Sequence, residues 1–209
     1  MALEVASGHG HDSECVRALL EAGAKVTLQL HNNGTCALES ACAHSLAVLQ
    51  LLCAYEPSRA HPMPDDLPVL PECAEWLDAT SRWTRPLHHF ELLSLERVRA
   101  LVVEGADVRA GDGEAGAPTP LSLATARLLR GEGADDRRAA LIASAAAPWS
   151  PETHALFPAR AKARAVELLR VGWLLARRFQ GDFACEVEGA FLDAWLGHVM
   201  PHAIERASG

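Results

Sequence analysis

The sequence predicts an all-α protein in which pairs of helices stack as a solenoid, joined by short hairpin loops and closed by C-terminal helices. Three observations carry this expectation. The segments Leu19-Leu20-Glu21-Ala22-Gly23-Ala24-Lys25-Val26 and Leu101-Val102-Val103-Glu104-Gly105-Ala106-Asp107-Val108 share an apolar pair, a helix-ending glycine and a following extended stretch, the mark of an internal repeat. A leucine-centred element recurs at Leu3, Leu38, Leu87 and Leu121, spaced 35, 49 and 34 residues apart, the long interval being one period with about fifteen residues inserted. Finally, 49% of the 209 residues are hydrophobic and 22% charged, enough apolar side chain for a packed core and too much for disorder.

Each element follows from local chemistry. Ser13 is placed to cap a helix carrying Val16, Leu19 and Leu20 that Gly23 stops, and Ser45 to cap one carrying Val48, Leu51 and Leu52. Five prolines between Pro57 and Pro71 exclude continuous helix and predict an extended insertion. Pro71 then opens a short helix over Glu72–Ala79 that buries Cys73, Trp76 and Leu77. Pro86 and Pro120, with φ pre-set, open short first helices, and Ser94 caps a second helix with Val98, Leu101 and Val102, stopped by Gly105. Two antiparallel helices per unit result. Asp135 is expected to cap a helix through Leu141, Ile142 and Ala145, which Pro148-Trp149-Ser150-Pro151 breaks. From Pro158 a long helix presents Ala165, Leu168, Leu169, Gly172, Leu175, Ala176 and Phe179 on one apolar face. A last helix from about Ala184 to Val199 buries Val187, Phe191, Ala194, Trp195 and Leu196. The repeat signal therefore spans 1–134, with the proline-rich insertion at 57–71, and 135–209 forms a helical cap or extension over the apolar end of the stack.

These segments resemble ankyrin repeats, about four of them and degenerate, over residues 2 to about 130. Pro86-Leu87-His88 with Gly105-Ala106-Asp107-Val108 is the best unit, and Thr119-Pro120-Leu121 opens another. The first unit begins inside its first helix, as a truncated repeat or one without its leading hairpin strand does. Ala54-Tyr55-Glu56-Pro57 stands where the second unit should carry its glycine turn, and Trp83 where the family usually has glycine. The segment from Pro148 to Pro158 looks like the linker that trails other ankyrin-repeat proteins. The resemblance implies that His88 ties neighbouring turns together, and that a concave face of hairpin tips and first-helix ends binds a protein. Carried onto this chain, that face comprises Asn32, Asn33, Thr35 and His44 in the second unit and Arg82, Trp83, Thr84 and Leu92 in the third. Arg109 and Asp112, at the hairpin leading into the fourth, complete it.

Charge narrows the functions. With 27 acidic and 19 basic residues the net charge is -8, a poor match to phosphate-tracking nucleic-acid binding. The balance is uneven: residues 150–180 carry six cations and two anions, and 181–209 one cation and five anions, so the two blocks can neutralise each other. The run Arg160, Lys162, Arg164, Arg170, Arg177 and Arg178 suits a solvated helix face or, failing that, an anionic partner or membrane surface. The longest uncharged run, Ala139 to Pro151, is too short to span a bilayer, and the N-terminus has no signal-peptide pattern. A monomeric cytoplasmic protein is expected, with the nucleus open. The six cysteines form no C-x-x-C pair and read mainly as buried thiols.

Motifs for chemistry yield less. Gly111-Asp112-Gly113-Glu114-Ala115-Gly116 matches G-x-G-x-x-G, but it holds two acids and joins one repeat to the next, where a hairpin is expected. His9 and His11 flank a glycine in a turn, and His198 and His202 have a helical i, i+4 spacing interrupted by Pro201, with no glutamate after His198. Trp173 and Trp195 read as core, Trp83 and Trp149 as exposed anchors. No G-x-S-x-G elbow or signature cysteine is present. The expectation is a non-catalytic protein-interaction module without metal or cofactor. The alternatives are a ubiquitin-ligase substrate adaptor docking through the C-terminal helices, and an enzyme in those helices using His154 or His198 with nearby acids.

Overall fold

The computed structural model describes residues 13–26, 37–56, 68–114, 116–131, 136–178 and 184–206. All regular structure among the described residues is helical, and no helix there is long and apolar enough to cross a membrane. The chain forms two compact units, Met1–Ser94 with Ala110–Leu123, and Leu95–Arg109 with Ala124–Gly209. This division by packing does not follow the boundary at 134 that the repeat signal suggests.

In the first unit α1 spans Ser13–Glu21, α2 Ala37–His44, α3 Leu46–Tyr55 and α4 Pro71–Ala79. α3 lies at its centre because its sequence is apolar nearly all round, the pattern of a helix enclosed on every side. Val48, Leu49, Leu51, Leu52, Cys53 and Ala54 are buried, and α1, α2 and α4 all pack against it. Ser45 caps it as expected, its Oγ accepting from the Val48 N–H at 3.4 Å. α1 ends at Gly23, whose φ of 88° is open to glycine and costly for other residues. Gly23 N–H bonds to Leu20 C=O and Ala24 N–H to Leu19 C=O, the paired bonds of a Schellman stop. Pro71 opens α4, which buries Cys73 fully, while Trp76 and Leu77 are only half-buried against the core. Of the prolines of the insertion, 57, 62 and 64 lie outside the described residues.

After Pro86 the chain makes a 3-10 turn, Pro86–His89, in place of the expected first helix. The reason is visible in the spacing. Leu87, Phe90 and Leu93 are the buried apolar residues, a period of three, and His88 N–H to Arg85 C=O, Leu92 N–H to His89 C=O and Leu93 N–H to Phe90 C=O are all i to i−3 bonds.

In the second unit α5 spans Leu95–Glu104, α6 Pro120–Arg130 (its first four residues belonging to the first unit) and α7 Arg137–Ala146. α8 spans Ala159–Arg178 and α9 Ala184–Ala194, followed by a π-helical turn Trp195–Val199 and α10, Met200–Ala203. α5 repeats the ending of α1: Gly105 has φ 102°, its N–H bonds to Val102 C=O, and Ala106 N–H bonds to Leu101 C=O. Val16, Leu20 and Val26 in one segment and Val98, Val102 and Val108 in the other are all buried, so the repeat seen in the sequence is one helix-and-stop structure formed twice. α5 packs on α7 and on the short turn His154–Leu156.

Several expectations are corrected here. Asp136, not Asp135, caps α7, accepting from the N–H groups of Arg138 and Ala139; Asp135 lies outside the described residues. Trp149 is buried with Phe157, Ala161, Ala165, Met200 and Ile204 and is no exposed anchor. Trp173, expected in the core, is 45% exposed, and Leu169 and Ala194 are exposed as well. The inward face of α8 consists of Ala161, Ala165, Gly172 and Ala176, because the Trp195 indole lies so close that a Cβ on Gly172 would stand 2.6 Å from its Nε1. The last helix also does not stop at Val199. The π turn, with Met200 N–H reaching Trp195 C=O, opens the ladder where Pro201 has no N–H to give, and helix resumes through Ala203.

Candidate functional site

The loop after α4 is the best-built of the surfaces the sequence singles out. Thr80 Oγ1 donates to the Trp76 carbonyl at 2.7 Å and Trp83 N–H to the Thr80 carbonyl at 2.8 Å, which unwinds the helix into a turn presenting Arg82. The Arg82 guanidinium donates through Nε to Asp112 Oδ2 at 2.8 Å and through Nη2 to Asp112 Oδ1 at 3.4 Å and Glu114 Oε2 at 3.0 Å. Asp112 Oδ1 also accepts from the Glu114 N–H at 3.0 Å. The hydrogen bond from Arg82 holds the Asp112 carboxyl below the ordinary range, and the same bond raises the arginine. Two residues chosen from different hairpins are thus joined, and the 111–116 loop is tied to Arg82 through the acids that argued against a phosphate cradle.

His88 sits beneath this loop, 1% exposed. Its Nδ1 accepts from the Arg85 N–H at 3.1 Å, and its Nε2 lies 3.0 Å from the Pro118 carbonyl. Since a carbonyl only accepts, the ring is the neutral tautomer with its proton on Nε2. Burial lowers its pKa, against the two backbone bonds that raise it. His88 therefore ties the 85–89 turn to the Pro118 end of the following loop. Next to it, the His89 ring meets Trp83 edge-on at 5.1 Å and Trp76 at 5.7 Å. Trp83 is half-buried, Thr84 exposed, and the Leu92 carbonyl accepts from Arg17 Nη1 at 2.7 Å. His44, the last residue of α2, is exposed. Asn32, Asn33 and Thr35 lie outside the described residues.

Arg109 belongs to the second unit. Its Nη2 donates to the Ala146 carbonyl at the end of α7 at 2.8 Å, and its N–H bonds to Asp107 Oδ1. It borders a cleft of about 370 Å³ together with Trp149, Phe157 and Arg206. Arg206 stacks 4.3 Å over the Phe157 ring and donates from Nη1 to the Val102 carbonyl at 3.4 Å; burial lowers its pKa. Each arginine meets the carbonyl end of a helix, where the macrodipole favours a cation. These are joints of the fold; Asp107 and Glu205 line the same cleft, and Arg206 Nε and Nη2 are buried there without a hydrogen-bond partner among the described residues.

The C-terminal histidines are dispersed: His154 Nδ1 accepts from Trp149 Nε1 at 3.0 Å, while His198 and His202 are exposed. Among the described residues no three His, Cys, Asp or Glu side chains gather as a metal site would require. Sequence reasoning missed the outward side of α8, where Val166, Val171, Trp173 and Leu174 are exposed. The available signal was that these residues fall off the stripe that Ala165, Gly172 and Ala176 define. The chain matches no known protein family, no curated protein and no solved structure.

Proposed function

We propose that the chain is a non-catalytic, monomeric protein-binding module of ankyrin-like construction, working in the cytoplasm. The observation that carries this reading is the Arg82–Asp112–Glu114 cluster. It fastens the loop before Pro86 to Asp112 and Glu114, with Trp83 half-buried and Thr84 exposed beside it. A surface held in one geometry before binding loses little entropy when a partner arrives, and Trp and Arg are the side chains that concentrate binding energy. The helix-and-glycine stop formed at both Gly23 and Gly105 supports repeat construction. Cys42, Cys53 and Cys73 are buried, the place of cysteine used as a small apolar side chain, which fits a reducing compartment.

The test is affinity capture from cell extract with the intact chain and with W83A/T84A, followed by rebinding of any purified partner. The expected result is one partner weakened about tenfold or more by the double substitution, the effect of losing a tryptophan anchor. A partner bound equally by both chains, or catalytic turnover by the purified protein, overturns the reading.

A further inference from the structure

We propose that the outward face of α8 is a docking surface for an acidic segment of a partner protein, one carrying apolar side chains beside its Asp or Glu residues. This goes beyond the Arg82 loop: it lies in the other unit and stands on different observations.

α8 holds six cations, Arg160, Lys162, Arg164, Arg170, Arg177 and Arg178, against one acid, Glu167, in a chain whose net charge is -8. The same helix leaves Val166 43%, Val171 45%, Trp173 45% and Leu174 60% exposed. Large apolar side chains clustered on one helix face mark an interaction site more often than scattered ones do. Arg177 lies 4.5 Å over the Trp173 ring, so the largest anchor and a cation are already arranged together. On the flank a groove of about 510 Å³ is lined by Arg160, Arg164 and one acid, Glu167, together with Ala163, Leu168 and Val171.

The order of residues around the helix selects the occupant. At about 100° per residue, Arg170 and Arg177 fall between Val166 and Trp173 on one side and Leu174 on the other. Cations thus stand between its apolar groups, with Glu167 and then Val171 beyond Leu174. A helix lying in a lipid surface needs an unbroken apolar middle with cations at its borders, whereas α8 interrupts its apolar groups with Arg170, Arg177 and Glu167. A second copy presenting its own α8 would set six cations against six. A protein segment alternating carboxylates with apolar side chains satisfies both sets: carboxylates reach Arg170 and Arg177 while the apolar groups cover Val166, Trp173 and Leu174.

The probe is a fluorescein-labelled helical peptide of Glu, Leu and Phe, beside a counterpart with Lys in place of Glu, read by anisotropy against the full chain. The acidic peptide is expected to bind, weakening about tenfold between 50 and 300 mM salt as screening sets in. R170Q/R177Q and W173A/L174A are each expected to weaken it about fivefold or more. These positions are exposed, so unchanged circular dichroism and melting temperature establish that the variants are folded. W83A/T84A should leave peptide binding unaltered, which separates failure here from failure of the Arg82 loop. No binding of the acidic peptide, equal binding of the Lys peptide, or indifference to W173A/L174A overturns the proposal. So does W173A-sensitive binding to phosphatidylserine vesicles without peptide binding, which would assign the face to a membrane, or self-association abolished by W173A/L174A, which would assign it to a second copy.

Discussion

Asp136 shows how much one carboxylate can organise. Its side chain is 3% exposed, receives Arg127 Nε at 2.6 Å and Arg138 Nε at 3.2 Å, and caps α7 besides. Burial disfavours its charge, but the two arginines and the N–H groups of the helix outweigh that and hold its pKa below the ordinary value. Because the folded value is depressed, this stability is present above the unfolded pKa of about 4 and is lost as pH falls through the folded value. D136A should cost about 2 kcal/mol in thermal or urea denaturation, since it removes the helix cap and two charge-assisted hydrogen bonds. His88 works at higher pH. A base whose folded pKa is lowered takes up a proton more readily when unfolded, so its share of stability is full above about 6.5 and declines as pH drops toward the folded value. Protonating Nδ1 would also end its bond from the Arg85 N–H. The melting temperature should therefore fall between pH 7.5 and 5, and H88A should flatten that portion of the curve while costing roughly 2 kcal/mol. The sequence placed His88 by its position in a Pro-Leu-His start, whereas Asp136 was one residue from the expected cap. Its partnership with Arg127 and Arg138 joins a helix end to a helix start, which local pattern does not specify.

At the level of helices, the two glycines of α8 and α9 make opposite predictions. G172A sets a Cβ 2.6 Å from Trp195 Nε1, whose N–H donates to the Leu168 carbonyl at 3.2 Å; it should destabilise by about 2 kcal/mol through overpacking. G189A meets nothing within 4 Å and should stabilise by about 0.5 to 1 kcal/mol, the propensity difference in an exposed helix. Paired thermal melts check both. The beginnings and ends of helices were the most legible parts of this sequence: Ser45, Pro71, Gly23 and Gly105 act through their own backbone chemistry and need no distant partner. The 85–93 segment was less so, because Leu87, Phe90 and Leu93 differ from a helical stripe only by a fraction of a residue per turn. α8 was legible both as a helix and in its inward face: Ala165, Gly172 and Ala176 are buried and Leu168 and Leu175 half-buried, as the apolar stripe predicts. Only its edges were misjudged, Leu169 and Trp173 standing exposed, because the close approach of Trp195 seats the small residues and leaves the larger ones outside.

Across the whole molecule, the two units are interleaved along the chain, which leaves the first at Ser94, returns at Ala110 and departs again after Leu123. The residues beyond 134 are accordingly not a detachable cover. α7 and the His154–Leu156 turn supply packing for α5, so a chain ending at 134 should leave Val98 and Val102 without partners. Such a truncation is expected to lose its cooperative melt and the hydrogen-exchange protection of 95–104; a sharp transition near that of the intact protein would refute this. The candidate surface was partly legible on the same terms. Arg82 and Asp112 were identified from their repeat positions, but their mutual bond spans thirty residues and belongs to the folded chain alone.

Interleaving also sets the order of events during synthesis. α5 is complete when residue 104 has been made, yet α7 and the His154–Leu156 turn, which pack on it, are finished only about fifty residues later. At roughly 5 to 20 residues per second that interval lasts on the order of 3 to 10 seconds. Throughout it the ribosome carries a helix whose valine face awaits its partners, which makes this stretch of the nascent chain a natural client for a holding chaperone.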